Sequence, residues 1–302
     1  MKLLQNIQNG NNWNIGFCDT TPNNLIAKKK LGKVQWMKHP YNDRFFADPF
    51  ILDVTHSEII VLVEEYVFDN PPGLIVELVV DKKSKKLKQR HELLRLMTHL
   101  SYPAIIRLGD EIYVYPENGA SGQLNLYRYD AKNHKLVDPV CILNEAVADA
   151  TILKRTAGTY WLIATKYPDT LEKSYLYTSD SLKGPFQPYG ELPYQSSKSC
   201  SRSAGDFFEA FGELYRPAQD CEKSYGGATA IMSINDLEKT EKKTFVVNPV
   251  DSKYPLGLHT INFYKDICVI DSLGYFYPRL GKLYASESVR KIRNCIKKIL
   301  GK

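Results

Sequence analysis

The sequence predicts an all-β fold, a five-bladed β-propeller, from two observations. Similar segments recur along the 302 residues, and their anchors Asp48, Tyr102, Asp149, Gly205 and His259 lie 54, 47, 56 and 54 residues apart. Each anchor begins an apolar and aromatic run that a short polar turn joins to another β-rich run. A unit of four short antiparallel strands repeated every ~50 residues is typical of a propeller blade, whereas two stacked sandwiches would not predict equal steps.

The elements of each unit follow the same order. The first strand starts at the anchor, and the turn after it contains Gly or Asp in most units, which supplies the backbone freedom that a hairpin needs. A third β-rich segment comes next in most units, and a less regular fourth segment closes several of them. The predicted second strands are residues 59–66, 111–116, 159–165, 213–217 and 266–271, and the predicted third strands are residues 74–81, 123–130, 174–179 and 228–234.

The two ends of the chain have separate predicted roles. Either residues 13–17 or residues 34–37 are expected to complete the last blade, which would close the ring and leave no open sheet edge. The propeller is assigned to residues 1–286. From residue 287 apolar positions recur at helical spacing among Lys and Arg, so residues 287–302 are predicted to form a short basic amphipathic C-terminal helix. This helix either packs on the propeller or makes a peripheral contact with an anionic membrane surface.

Composition and charge exclude several classes of function. The formal net charge of +6 comes largely from Lys-rich runs at residues 28–30, 82–88 and the last dozen positions. No basic stripe is interleaved with aromatic residues, so these runs are interpreted as solvated turns and nucleic-acid binding is not expected. The six cysteines form no CxxC pair, which predicts neither a zinc site nor a disulfide framework. No metal or cofactor is predicted.

The sequence carries no recognisable targeting segment. Its first residues lack the apolar stretch of a signal peptide, and no run of ~18 apolar residues could span a bilayer. A cytoplasmic location is therefore expected, with a peripheral position at the inner membrane face if the C-terminal helix contacts lipid.

The repeat places a candidate site on the propeller axis. The first strand of each blade lines this axis, so the polar residues at the starts of these strands are expected to converge there. A second tier is expected at the ends of the second strands, where one of the neighbours Glu64 and Glu65 points inward. The candidates at strand starts are Asp48, Tyr102, Asp149, Arg202, Asp206 and His259, and those of the second tier are Glu65, Glu117, Lys166, Arg216, Gln219 and Asp220.

Each candidate also has a structural interpretation. Asp48 and Asp149 could stabilise turns, and His259 could be a histidine of the core whose hydrogen bonds are satisfied. Arg202, Arg216 and Lys166 could simply neutralise the carboxylates of the ring.

Two sets of motifs resemble known families. The runs Phe46–Phe50 and Asp149–Thr151, with the five-blade spacing, resemble the furanosidase propeller of family-43 and family-32 glycoside hydrolases. Nearly the whole chain resembles the N-terminal propeller domain of plant glucosamine inositolphosphorylceramide transferases, whose stand-alone bacterial relatives are associated with surface-glycan synthesis. The segments that carry this second resemblance are residues 46–50, 101–103, 214–221 and 257–262, of which Tyr215–Asp220 is the most specific.

The resemblance to the hydrolases implies roles for two residues, and at one further position this chain differs from the hydrolase pattern. It implies that Asp48 is a base or nucleophile and that Asp149 tunes a catalytic acid. These hydrolases place a Glu acid at the fourth blade, where this chain has Arg202 instead. A glycosidic oxygen leaves poorly unless a carboxylic acid protonates it. A phosphate needs no such acid, but it needs cations to absorb its charge.

The sequence therefore favours glycosyl transfer from a phosphorylated sugar donor to a glycan or lipid-linked acceptor in cell-surface glycan biosynthesis. Asp48 would deprotonate the acceptor hydroxyl or attack the anomeric carbon, and Asp149 would position sugar hydroxyls. Two alternatives stay open, a furanosidase-type hydrolase and a sugar-binding propeller without catalysis. The groups expected to hold the leaving phosphate are Arg202, Arg216, Lys166 and His259, and the acids that would restore hydrolysis are Asp206, Glu117 and Asp220.

Overall fold

The computed structural model describes residues 11–155, 158–236 and 240–275, together with Asn294. Strands dominate this part of the chain, and its one α-helix of seven residues, α1 (Pro22–Lys28), connects the first two strands. The predicted boundary at residue 286 and the predicted C-terminal helix lie outside the described residues. Within them, no helix has the length and apolar character needed to cross a bilayer.

The strands follow the repeat predicted from the sequence. In chain order they are β1 (Asn11–Cys18), β2 (Val34–Trp36), β3 (Arg44–Val54), β4 (Glu58–Val67), β5 (Leu74–Asp81), β6 (Leu87–Leu94), β7 (Ser101–Leu108), β8 (Glu111–Glu117), β9 (Leu124–Asp130), β10 (Lys135–Leu143), β11 (Val147–Lys154), β12 (Tyr160–Lys166), β13 (Lys173–Ser179), β14 (Gln187–Pro188), β15 (Gln195–Ser196), β16 (Phe208–Ala210), β17 (Glu213–Asp220), β18 (Ala228–Asp236), β19 (Thr240–Val247), β20 (Ile261–Tyr264) and β21 (Ile267–Tyr275).

These strands form five antiparallel sheets, so the prediction of a five-bladed propeller is confirmed. The first, second and fourth blades have the orders β3-β4-β5-β6, β7-β8-β9-β10 and β16-β17-β18-β19. The third has the order β11-β12-β13-β14, with β15 also paired to β13, and the fifth has the order β20-β21-β1-β2. Both N-terminal segments thus join the last blade, and β1 pairs with β21 from Asn11 opposite Tyr275 to Cys18 opposite Cys268. The ring is closed by backbone hydrogen bonds between the two ends of the propeller.

The core lies between the blades rather than at one centre. The largest apolar cluster joins the first three blades and includes Phe50, Tyr102, Tyr115 and Ile152. A second cluster joins the last blade to the first, where Ile15 and Phe17 of β1 pack with Phe46 and Val61. Burial of apolar surface between neighbouring blades fixes their relative positions, and with them the residues on the axis.

The repeated anchors mark a β-bulge. The pairing of the first strand with the second shifts between Ala47 and Phe50 in β3, between Ser101 and Ala104 in β7, and between Ala148 and Thr151 in β11. The residues at these bulges, Asp48, Tyr102 and Asp149, have φ values of 51°, 45° and 46°. Such a left-handed conformation in a non-glycine residue costs of order 1–3 kcal/mol. A bulge redirects a side chain out of the regular alternation, and here it turns the anchor towards the axis.

Candidate functional site

A cavity of about 330 Å³ opens at one end of the axis, and all five blades contribute to its wall. Strands β1, β3, β4, β7 and β8 supply some of its side chains, and the loops that connect strands at this end supply the others. The lining residues are Trp13, Phe45, Ala47, Asp48, Glu64, His99, Ser101, Glu117, Tyr167, Arg202, Tyr225 and His259.

Asp48 lies on the cavity wall with both carboxylate oxygens held in place. Oδ1 accepts a hydrogen bond from the Thr260 hydroxyl at 3.1 Å, and Oδ2 accepts one from the backbone N–H of Tyr102 at 3.1 Å. The residue is only 6% exposed, and this burial raises the pKa of Asp48 to about 7. The positive charge of His259 opposes the rise, whereas Glu64 and Asp271 add to it. A carboxyl group with this pKa can both accept and release a proton near neutral pH.

His259 stands beside Asp48 and is fixed by two contacts. Its ring stacks on Trp13, with centroids 3.9 Å apart and planes inclined by 19°. Its Nδ1 lies 2.7 Å from Oδ2 of Asp271 and 3.7 Å from Oδ1 of Asp48. Burial alone would lower the pKa of His259, but the carboxylates of Asp271 and Asp48 outweigh it and raise this pKa to about 9. The imidazole is therefore positively charged at neutral pH.

Asp271 organises this side of the cavity from behind. It is fully buried on β21, and its carboxylate accepts hydrogen bonds from the backbone N–H groups of His259, Thr260 and Asp48 at 3.2, 2.9 and 2.9 Å. Asp48, His259 and Asp271 bring ligand atoms within 4.8 Å of one another, a spacing that could hold a metal ion. In this structure the three residues are held together by the hydrogen bond from the Asp48 N–H to Asp271 and by the contacts of His259 with both carboxylates.

On the opposite wall, one guanidinium serves two buried carboxyl groups. Arg202 Nε lies 2.6 Å from Asp149 Oδ2, and Nη2 lies 3.3 Å from Glu117 Oε2. Burial raises the pKa of Asp149 well above its usual range although Arg202 opposes this. Burial acts in the same direction on Glu117, but there Arg202 and hydrogen bonds prevail and lower its pKa. The two carboxyl groups share one positive charge, so the pair retains a proton more readily on Asp149.

The structure brings seven of the twelve candidate residues to the cavity or directly behind it. Asp48, Glu117, Arg202 and His259 line the cavity. Behind this wall, Gln219 donates a hydrogen bond to Asp149 at 2.7 Å, and the hydroxyl of Tyr102 bonds Thr151 and the backbone of Gly205 at 2.8–3.0 Å. Through these contacts Tyr102 connects the first strand of the second blade to that of the third blade and to the segment that precedes the fourth blade.

Two candidates lie on the wrong face of their strands. Glu65 is buried away from the cavity against Arg44 and Arg90, and its neighbour Glu64 occupies the inward position. Arg216 is fully buried and bonds Glu241 through Nε and Nη2 at 2.7 and 2.6 Å. Because side chains alternate along a strand, residues one or three positions apart face opposite ways, and the inward residue of β17 is Gln219.

Three further candidates lie elsewhere. Lys166 pairs with Glu145 at 2.8 Å and sits over the ring of Tyr175. Asp206 accepts the backbone N–H of Phe207 at 2.8 Å, and burial raises its pKa to about 7, but it does not line the cavity. Asp220 accepts the N–H of Glu222 in the turn after β17.

The electrostatic balance of the site is therefore acidic among the described residues. Each of its three basic side chains already has a carboxylate partner: His99 pairs with Glu64 at 3.1 Å, Arg202 with Asp149 and Glu117, and His259 with Asp271. Of the four groups expected to hold a leaving phosphate, Arg202 and His259 line the cavity, whereas Arg216 and Lys166 do not.

Several site residues were not among the sequence-based candidates. Asp271 stands at the end of the fifth predicted second strand, and Glu117 is a candidate because it stands at the end of the second one. The same criterion could therefore have identified Asp271. Four others lie on β3, β4 and β7, close to candidates or anchors: Phe45, Ala47, Glu64 and Ser101. The last four come from β1 or from loops, whose positions the repeat does not define: Trp13, His99, Tyr167 and Tyr225.

Comparison with known proteins identifies the family. Residues 11–255 match the family described as "Glucosamine inositolphosphorylceramide transferase 1, N-terminal". The chain belongs to this family. The match includes Asp48, Glu117, Asp149 and Arg202 and ends shortly before His259.

Two plant members of the family illustrate how much is shared. Glucosamine inositolphosphorylceramide transferase 1 of Oryza sativa subsp. japonica is 32% identical over 156 residues, which cover 50% of this chain and 21% of that protein. The Arabidopsis thaliana protein of the same name is 35% identical over 152 residues, which cover 47% of this chain and 19% of that protein. The matched region is thus about a fifth of each relative.

Solved structures with this fold include glycoside hydrolases. A family 117 glycoside hydrolase from Zobellia galactanivorans superposes with a TM-score of 0.55 over 79% of this chain and 87% of its own, at 11% identity. A GH43 β-xylosidase/α-arabinofuranosidase from a compost microbial metagenome gives a TM-score of 0.55 over 79% and 93%, at 10% identity. At these identities the likeness shows the fold alone. The match to the transferase family supports a sugar-related function.

Proposed function

We propose that this protein transfers a sugar from a phosphorylated donor to a hydroxyl group of a glycan or lipid-linked acceptor during cell-surface glycan synthesis. The observation that carries the proposal is the placement of Asp48, a buried carboxyl group whose pKa is about 7, on the wall of a cavity to which every blade contributes. The family name supports transfer, and the cavity supplies polar and aromatic groups for a sugar ring. We further propose that the reaction takes place in the cytoplasm, either in solution or at the inner membrane face.

Asp48 is assigned as the base that removes the acceptor proton. Thr260 and Tyr102 hold its two oxygens, so the carboxylate has one orientation towards the cavity. Its pKa near 7 lets it accept a proton efficiently at neutral pH. His259 carries a positive charge 3.7 Å away and stabilises the ionised form of Asp48 that the reaction requires.

The aromatic side chains are assigned to the sugar ring. Trp13, Phe45, Tyr167 and Tyr225 line the cavity with apolar faces and, for the tyrosines, hydroxyl groups. Such a mixture of rings with a few fixed polar groups is the usual composition of a small-molecule site. The C–H face of a sugar would pack on the rings while its hydroxyls bond Glu64 and Glu117.

Arg202 is assigned to the leaving group of the donor. It occupies the fourth-blade position where the related hydrolases carry an acid, and it reaches the cavity whereas Arg216 and Lys166 do not. Its Nη2 contact with Glu117, at 3.3 Å, is among the longest of its bonds, and a phosphate oxygen could displace it. An arginine bonds phosphate through a fork of N–H donors, which suits this role.

Hydrolysis of a glycoside is the second candidate, and the charge of the cavity favours it. Carboxyl groups outnumber basic groups at the site, and burial favours the protonated form of both Asp48 and Asp149. Glycosidases use two carboxyl groups, of which one is an acid with a raised pKa. Asp48 and Glu117, which both line the cavity, would then form the catalytic pair.

A panel assay distinguishes the two candidates. The protein is incubated with sugar nucleotides, with and without oligosaccharide or lipid-linked acceptors, and separately with 4-nitrophenyl glycosides in water. Acceptor-dependent release of nucleotide, with a glycosylated product in the mass spectrum, supports transfer. Release of 4-nitrophenol without an acceptor supports hydrolysis and overturns the transfer proposal. Sugar binding with neither product leaves a binding propeller and contradicts both enzymatic proposals.

A further inference from the structure

A cluster of two histidines and a buried glutamate lies between the first and second blades, away from the cavity. Glu77 projects from β5, His91 from β6, and His134 from the turn between β9 and β10. The cluster therefore joins two strands of one blade to a turn of the next. None of these residues was selected by the repeat, and none has a role in the proposed reaction.

The geometry brings three potential metal ligands together. One ligand atom of each residue lies within 4.8 Å of those of the other two. His134 Nδ1 is 3.0 Å from Glu77 Oε1, and the rings of His91 and His134 are stacked with centroids 3.8 Å apart and planes inclined by 7°. Glu77 is 1% exposed, whereas both histidines are partly exposed, so an ion could reach the cluster from solvent.

Glu77 is already oriented as a metal ligand would be. The hydroxyl of Tyr129 donates to Glu77 Oε2, which leaves Oε1 directed at His134. An outer hydrogen bond of this kind commonly fixes a carboxylate that binds a metal. Bond lengths of 2.0–2.2 Å in a tetrahedral site require ligand atoms about 3.3 Å apart, close to the distance between Glu77 and His134.

The buried negative charge of Glu77 also favours the binding of a cation. A carboxylate buried to this degree is unfavourable unless its charge is balanced. A divalent ion would balance the charge of Glu77 and would join it to the two nitrogen ligands. Two imidazoles and one carboxylate form a ligand set that Zn²⁺ adopts, with the fourth position left to water.

We propose that Glu77, His91 and His134 form a Zn²⁺ site that fastens the second blade to the first. Binding requires His91 to rotate out of the ring stack so that one of its nitrogens converges with His134 Nδ1 and Glu77 Oε1. The site contributes to the stability of the propeller and not to the chemistry of the cavity.

Titration of the untagged, chelator-treated full chain with ZnCl₂ tests this proposal. Calorimetry is expected to show one saturable site, and Zn²⁺ is expected to raise the melting temperature by several degrees. H91Q and H134Q should each weaken binding by at least a hundredfold. H56Q, which changes an exposed histidine in the turn after β3, should keep the wild-type affinity. D48N should also keep it, which separates this cluster from the one on the axis.

Zn K-edge X-ray absorption of the wild-type complex provides a readout that does not depend on the folding of a variant. Two imidazole ligands and oxygen neighbours are expected in the spectrum. A spectrum without imidazole scattering would overturn the proposal. Absence of saturable binding, or binding unchanged in both H91Q and H134Q, would overturn it as well.

Discussion

The carboxylate of Asp271 accepts a hydrogen bond from the backbone N–H of Asp48 at 2.9 Å, although 223 residues separate the two in sequence. The same carboxylate holds His259 at 2.7 Å. Closure of the ring between the last blade and the first therefore also assembles the candidate site. Because Asp271 is fully buried, its effect on Asp48 and His259 acts through a region of low dielectric and is strong.

Replacement of Asp48 by Asn is expected to reduce turnover by about 10²–10⁴-fold, the usual contribution of a general base. The melting temperature should change little, because Asn keeps the size of the side chain and removes a buried charge. D53N is the matched control, since Asp53 lies on the same strand but pairs with Lys265 at the surface. A large loss of stability in D48N, with turnover unchanged, would show that Asp48 has a structural role.

The pH dependence of kcat/KM should be bell-shaped. Activity requires ionised Asp48, whose pKa is about 7, so it rises as pH increases through this value. It also requires charged His259, whose pKa is about 9, so it falls as pH increases further. Because Asp48 and His259 interact, the pKa values read from the two flanks of the profile are macroscopic values of the pair. A profile that is flat between pH 6 and 10 would contradict these assignments.

The free energy of unfolding should decrease between pH 7 and pH 9. His259 has a higher pKa in the folded state than its ordinary value of 6.5, so its contribution is complete below that pH and is lost as pH rises through about 9. Asp48 acts in the same direction at lower pH, since its pKa rises from 3.8 to about 7 on folding and its contribution is therefore lost between these two values. Urea titrations of the wild type and of H259Q measure the effect. H259Q should show a smaller decrease, and an equal slope in both proteins would count against the assignment.

Arg202 and Arg216 should respond differently to substitution by Lys. R202K is expected to raise KM for a phosphorylated donor at least tenfold, because Lys loses the forked contact with phosphate. R216K should leave this KM unchanged but destabilise the fold by about 1–3 kcal/mol, because Lys keeps the charge but loses the forked hydrogen bonds to Glu241 and leaves buried acceptors unsatisfied. Donor kinetics and urea unfolding separate the two effects. A donor KM that changes only in R216K would reverse the assignment.

Replacement of Trp13 by Ala should weaken sugar binding at least tenfold and free the ring of His259, which stacks on it. W36A is a suitable comparison, because Trp36 on β2 bonds Asp251 and does not line the cavity. The affinity of each variant for the sugar is measured from the rise in melting temperature as the ligand concentration increases. Equal loss of affinity in the two variants would indicate a general effect on the last blade.

Much of the fold could be predicted because the repeat has a backbone cause. Asp48, Tyr102 and Asp149 recur at one phase since each forms the same left-handed bulge, and a bulge constrains residue choice locally. The first strand does not always start at its anchor, however. Strand β3 begins at Arg44, before Asp48, whereas β16 and β20 begin after Gly205 and His259.

The site was harder to predict, for two physical reasons. Neighbouring residues on a strand face opposite ways, so a second-strand residue can be assigned to the cavity only if it is known which face of the strand points inward. In β4 the inward residue is Glu64, whereas the predicted residue, Glu65, lies on the opposite face. Loop residues such as His99 and Tyr225 reach the cavity through turns whose path depends on the folded chain rather than on the repeat. The site is more acidic than expected because Arg216 and Lys166, two of the four expected cations, do not line the cavity.

A crystal structure of the protein with a bound sugar substrate or product shows directly whether the cavity on the propeller axis is the sugar site. We expect a sugar ring inside the cavity, packed near Trp13, with a hydroxyl or the anomeric carbon roughly 2.6–3.5 Å from the carboxylate of Asp48. A sugar bound at another surface, with the cavity beside Asp48 left free of it, would contradict the assignment of Asp48 and of the cavity.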